Sequence, residues 1–122
     1  MSAPRVLVVE DDAAIARLVA RTAGLEGAEV TVVADGLAAR DAWAQGSFAL
    51  VLLDAMLPGV DGPSLARERR QAGDRTPVVL LTARQIGEID ALAREAEIDE
   101  ILAKPFAYDD LVGILRRYLH DA

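Results

Sequence analysis

The sequence predicts an α/β fold, a doubly wound five-stranded parallel sheet with helices on both faces. Three observations carry that expectation. Five short apolar runs recur along the chain: Val6–Val9, Val30–Val33, Phe48–Leu53, Val78–Leu81 and Ile101–Ala103. The runs are continuous rather than alternating, as strands covered on both faces are. Longer segments with helical spacing separate them, and a length of 122 residues suits one domain, residues 1–122.

Val6–Val9 is the first strand, and Glu10-Asp11-Asp12 follows it. Ile15, Leu18, Val19 and Thr22 then take i, i+3, i+4, i+7 spacing on a helix that Gly27 stops. Val30–Val33 is the second strand. Asp35 is placed to cap an alanine-rich helix from Gly36 to Gln45, with Gly46 just past its end. Trp43 reads as packing for that helix. Phe48–Leu53 runs into Asp54, and Pro58-Gly59 is turn chemistry. Asp61 precedes Gly62-Pro63 and a helical stretch from Ser64 to Gln71. There Arg67, Arg69 and Arg70 beside Glu68 read as a solvated helix face. Val78–Leu81 ends on Thr82, and Ile86, Ile89, Leu92, Ala93 and Ala96 stripe one side of the next helix. Ile101–Ala103 ends on Lys104, and Leu111, Ile114, Leu115 and Tyr118 stripe the last helix. Alternating β and α elements with right-handed crossovers leave few topologies. At this size the common one is the flavodoxin-like (βα)5 sheet in order 2-1-3-4-5.

Composition narrows the chemistry. The net charge of −7 argues against a nucleic-acid surface and mildly against anionic membranes. No cysteine is present, so disulfides and thiolate metal sites are excluded, and the single histidine, His120, cannot build a histidine cluster. The N-terminus lacks the apolar region of a signal peptide and no run could cross a bilayer, so a cytoplasmic location is expected.

Polar residues gather where strands end: Glu10, Asp11, Asp54, Thr82 and Lys104. In a parallel sheet those ends share one edge, and strands one and three are neighbours at the switch point where such folds place ligands. Glu10, Asp11 and Asp54 should therefore converge, with Thr82 and Lys104 across the crevice. Carboxylates that close repel one another. A divalent cation with oxygen preference would offset this, and few protein carboxylates suit Mg²⁺. Carboxylate, Mg²⁺, lysine and hydroxyl together make a phosphoryl-transfer site. Taken singly, Asp54 reads as a turn residue, Thr82 as a helix cap, Lys104 as a surface charge and Asp12 as a helix N-terminal acid. Taken together, the plain readings require several coincidences at one edge.

Four stretches in this order, "VLVVEDD", "LVLLDAMLPGVDG", "TPVVLLTAR" and "AKPF", resemble those of bacterial response-regulator receiver domains, and the resemblance covers essentially the whole chain. It implies Asp54 as phospho-acceptor, Asp11 as a direct Mg²⁺ ligand, Glu10 as a ligand through water and the Met56 carbonyl as a further ligand. It implies Thr82 as the switch hydroxyl, Lys104 as the contact to the phosphoryl group and a cis bond before Pro105. It implies a sensor histidine kinase or histidine phosphotransfer protein as phosphoryl source, an unnamed downstream protein, no direct nucleic acid, and a monomer or weak phosphorylation-dependent dimer. It implies a domain that catalyses only its own phosphorylation and dephosphorylation. The resemblance places Met56 and Arg84 beside the path of the attacking water, where their bulk implies slow loss of the phosphoryl group.

The chain departs from the family pattern in places. Receivers usually carry Tyr or Phe three residues before the lysine, where this chain has Ile101. A glycine usually ends the preceding helix, where this chain has Glu97, so a remodelled or frayed helix end is expected. Ile114 replaces an arginine used by winged-helix regulators in pairing, and Ile98, Ile101 and Val112 are expected to form an apolar contact surface instead. Two other readings compete with a phosphorylation switch. A haloacid-dehalogenase-type phosphatase needs a second acid where Met56 stands. A pseudo-receiver that only binds partners sits poorly with the intact acids, Thr82 and Lys104, while Ile101 favours it.

Overall fold

The structure, a computed structural model, describes residues 3–83 and 86–120. Strands and helices alternate: β1 (Arg5–Val9), α1 (Ala13–Leu25), β2 (Glu29–Val33), α2 (Gly36–Gln45), β3 (Leu50–Asp54), α3 (Gly62–Gln71), β4 (Val78–Thr82), α4 (Ile86–Glu95), β5 (Glu100–Ala103) and α5 (Tyr108–His120). All neighbouring strands pair in parallel, in the expected order β2-β1-β3-β4-β5.

Side chains alternate across the sheet, so each central strand feeds two cores. Leu7, Val9, Val51, Leu53, Val78 and Leu80 point to one face, where Ala39 and Trp43 of α2, Leu65 and Ala66 of α3, and Ala96 meet them. Val6, Val8, Leu50, Leu52, Val79 and Leu81 point to the other, against Val19 and Ala23 of α1 and Leu111, Ile114 and Leu115 of α5. The burial of β1, β3 and β4 matches their continuous apolar runs. Strand β2 departs from the expectation, since it is half-exposed and Val32 is 47% exposed. Being at the sheet's edge, it lacks a neighbour on one side.

The caps are as the sequence suggests. Asp12, Asp35 and Asp61 accept backbone N–H bonds from the first turns of α1, α2 and α3. Gly27 follows α1 in a left-handed conformation, φ 95°. Gly46 ends α2 for another reason: its φ is −97°, and an added Cβ would lie 2.4 Å from the Phe48 ring.

Two expectations fail around the α3 and α4 termini. Arg70 is buried rather than solvated, and its guanidinium donates to the carbonyls of Asp74, Thr76 and Glu97 and to the Asp99 carboxylate. Asp99 also accepts from the Val78 N–H at 2.7 Å. One arginine thus ties the end of α3, the start of β4 and the turn into β5. The end of α4 is neither frayed nor remodelled. Glu97 takes the left-handed position, φ 53°, the Ile98 N–H reaches the Ala93 carbonyl, and the Glu97 N–H reaches that of Arg94. This is the two-bond Schellman pattern with glutamate in the glycine position, steadied by the Arg70 bond to its carbonyl and an ion pair with Arg75.

Removing Arg70 leaves three carbonyls and Asp99 without this partner. Arg70→Ala is expected to cost about 3 kcal/mol in urea unfolding, and Arg67→Ala, whose ion pair with Glu95 is exposed, under about 0.5 kcal/mol.

Candidate functional site

Register brings the polar strand ends together. Val9 pairs with Leu53, so Glu10 and Asp54 stand side by side one step further on. Asp54 pairs with Leu81, and Thr82 pairs with Ala103, which places Lys104 just beyond. The ladder continues past the strands through Glu10 N–H to the Val33 carbonyl, Ala55 N–H to Leu81 and Lys104 N–H to Thr82. The strand ends are therefore held by backbone bonds.

One carboxylate oxygen each from Glu10, Asp11 and Asp54 lies within 4.8 Å of the others. Glu10 and Asp54 are buried, and Asp11 is exposed. The Lys104 ammonium lies 2.5 Å from Glu10 Oε1 and 3.5 Å from Asp54 Oδ1. The second Glu10 oxygen accepts the Asp12 N–H at 3.2 Å, and Asp54 Oδ1 accepts the Met56 N–H at 3.2 Å. Thr82 is fully buried at the end of β4. It follows Leu81, the β4 partner of Asp54, and so stands one residue further along the neighbouring strand. The peptide bond between Lys104 and Pro105 is cis, as the resemblance implies.

Three acids and one lysine do not balance. Burial pushes the Asp54 carboxyl up to about 7, and a hydrogen bond and charge repulsion from Glu10 add to it. The Met56 N–H and the Lys104 charge pull the other way. Burial works against the Lys104 ammonium, yet Glu10 and Asp54 together leave its pKa raised. The donor set is all oxygen, and the cluster has an unmet need for positive charge, which suits a hard divalent cation.

Lining the same edge, Asp11, Met56, Leu57, Pro58 and Asp61 border a recess of about 450 Å³. The Met56 side chain is 55% exposed there. Gly62 is forced by a close approach, since an added Cβ would stand 2.4 Å from the Asp54 carbonyl oxygen. In the sequence Asp61-Gly62 reads as turn chemistry that shapes the loop after Asp54, and the structure adds the close approach that excludes a side chain at Gly62.

Further from the site, Ile101 is half-buried and packs on the α2–α3–α4 core, as does Ile98. Ile114 is buried in the opposite core, so it offers nothing to a surface. At that face Glu100 pairs with Arg117 and accepts from the Tyr118 hydroxyl. Arg84 lies outside the described residues.

The family profile for the response regulator receiver domain matches residues 6–116. Among curated proteins, the uncharacterized transcriptional regulatory protein YkoG of Bacillus subtilis is 40% identical over 119 residues, 98% of this chain and 52% of that protein. Response regulator MprA of Mycobacterium sp. (strain KMS) is 36% identical over 115 residues, 94% of this chain and 50% of that protein. The chain thus spans about half the length of these relatives. The receiver domain of the Francisella response regulator 1452 superposes with a TM-score of 0.88 at 30% identity, covering 95% of this chain and 96% of that one. The receiver domain of sensor histidine kinase PA1611 from Pseudomonas aeruginosa, solved with a magnesium ion in its active-site cleft, gives 0.86 at 31% identity, covering 98% and 100%.

A carboxyl raised to about 7 is neutral in the fold between its unfolded value of 3.8 and 7, and charged above. It therefore costs stability progressively as pH rises from 3.8 to 7, and no further above. Without divalent cations, the stabilisation of the chain by Asp54→Asn is expected to be about 2 kcal/mol larger at pH 8 than at pH 5. Thermal melts at the two pH values measure this.

Proposed function

Because the chain belongs to the response regulator receiver domain family, we propose that it is a phosphorylation-controlled switch of a two-component system with Asp54 as its phospho-acceptor. The observation that carries this is the buried Asp54 carboxylate at a strand end, between Glu10 and Lys104. Glu10, Asp11, Asp54 and the Met56 carbonyl are the groups that would hold Mg²⁺. When bound, such an ion supplies charge that offsets the carboxylates and the phosphoryl oxygens.

The residues of the chain divide the work. An Asp54 oxygen attacks phosphorus in line, the P–N bond of a phosphohistidine breaks, and the imidazole leaves with the bonding pair and is protonated from solvent. Buried on both sides and fixed by the ladder, Asp54 stays where an incoming phosphoryl group can be met. Lys104 shares its charge between Glu10 and Asp54 and is within reach of a phosphoryl oxygen on the latter. Thr82 offers a hydroxyl from the neighbouring strand end. Hydrolysis of the acyl phosphate by water resets the chain.

A phosphoryl group adds negative charge beside Thr82 and Lys104 and biases the surface around α4 and β5 that a downstream protein reads. With Ile101 there is no aromatic ring at that position to swing, so the change is carried by the segment after Thr82 and by α4. A sensor histidine kinase or histidine phosphotransfer protein is the proposed donor, and the cytoplasm the proposed location. Among the described residues no helix is long and apolar enough to cross a membrane. Ile101 favours one rival, a partner-binding module that does not switch.

Incubation with acetyl phosphate and Mg²⁺ is expected to add one phosphoryl group by intact-mass measurement, with none added to Asp54→Asn. Lys104→Ala is expected to slow uptake at least about 10²-fold, since it removes the fixed positive charge. Unchanged uptake in Asp54→Asn would overturn the assignment, and no uptake by the unaltered chain would favour the non-switching module.

A further inference from the structure

We propose, on the strength of the cation reading above, that Gly36 at the N-terminus of α2 is a positioning residue: it sets where the loop after Asp54 presents the Met56 carbonyl. The two ends of that loop are held by the sheet. Ala55 donates to the Leu81 carbonyl at 2.8 Å, and Gly62 donates to the Ala55 carbonyl at 3.1 Å. Its middle has little core to rest on. Met56, Pro58 and Gly59 are exposed, and Leu57 and Val60 only partly enter the α2–α3–α4 core.

Gly36 supplies the missing hold. Its N–H donates to the Pro58 carbonyl at 2.9 Å. Its Cα rests against Val60, where an added Cβ would stand 2.8 Å from the Val60 Cβ, N and O together. Two of those three atoms are backbone, so no rotamer change relieves the contact. Nor does Gly36 need glycine for its backbone, which is not in the left-handed region. The need is for close approach alone. The start of α2 is itself fixed, because Asp35 Oδ1 accepts the Ala38 N–H at 2.8 Å. A methyl group on Gly36 therefore moves the loop rather than the helix, and the Met56 carbonyl moves with it. Mg²⁺ demands near-ideal octahedral geometry and tolerates such displacement poorly. Gly36 itself touches neither the cation nor the phosphoryl group.

The test is the midpoint of Mg²⁺-induced thermal stabilisation in the unaltered chain, Gly36→Ala and Gly113→Ala. Gly113 is the control, because a Cβ there meets nothing within 4 Å. Gly36→Ala is expected to raise the Mg²⁺ concentration at half-effect at least about tenfold. Phosphoryl uptake at saturating Mg²⁺ should stay within about twofold of the unaltered chain, and Gly113→Ala should match it in both. A Gly36→Ala chain that melts lower but keeps the same Mg²⁺ midpoint would overturn the assignment. An unaltered chain with no Mg²⁺ response would instead bring down the cation reading, and this with it. Should Gly36→Ala not fold, amide hydrogen exchange of the unaltered chain decides. Mg²⁺ is expected to slow exchange of the Gly36 N–H at least about threefold, and unchanged exchange contradicts the role.

Discussion

The arrangement depends on one imbalance: two buried carboxylates, Glu10 and Asp54, share a single lysine at the edge of a parallel sheet. An acid in so dry a place is costly unless something offsets its charge. Lys104 offsets part of it, sitting nearer to Glu10 than to Asp54. The remainder shows in Asp54, whose carboxyl is pushed up to about 7. A site left short of positive charge is stabilised by whatever brings it. A divalent cation brings it, and the charge then becomes available to phosphoryl oxygens as well.

The fold makes the imbalance tolerable by fixing its parts from outside. Alternation sends successive strand residues into two separate cores, so the strand ends have almost no freedom to separate and relieve the repulsion. The loop after Asp54 is held by Gly62 against the strand and by Gly36 from α2. At the other end of the sheet, where β4 and β5 begin, Arg70 and Asp99 lock the two entering turns.

Much of this was legible in the sequence, because it follows from local pattern. The apolar runs located β1, β3 and β4, whose burial on both faces leaves a strong signature. Asp12, Asp35 and Asp61 announced helix starts, and the polar residues after each run announced the site. What escaped were features set by long-range contact. Nothing local distinguishes buried Arg70 from exposed Arg67, since the carbonyls that hold Arg70 come from the loop before β4 and from the distant turn before β5. The same bond explains why Glu97 keeps a left-handed helix end that its side chain disfavours. The partial exposure of β2 does not show in its own apolar run; it follows from the sheet order, which puts β2 at an edge. Ile114 read as a lost surface contact, but it belongs to the α1–α5 core.

The most direct measurement of the central imbalance is proton release on Mg²⁺ binding, by titration calorimetry in buffers of differing ionisation enthalpy. If Asp54 is held near 7 by burial and Glu10, binding should release about half a proton per ion at pH 7, and progressively less toward pH 8.5. Asp54→Asn should abolish the release. Binding that releases no proton across this range, or a release that persists in Asp54→Asn, would contradict the account.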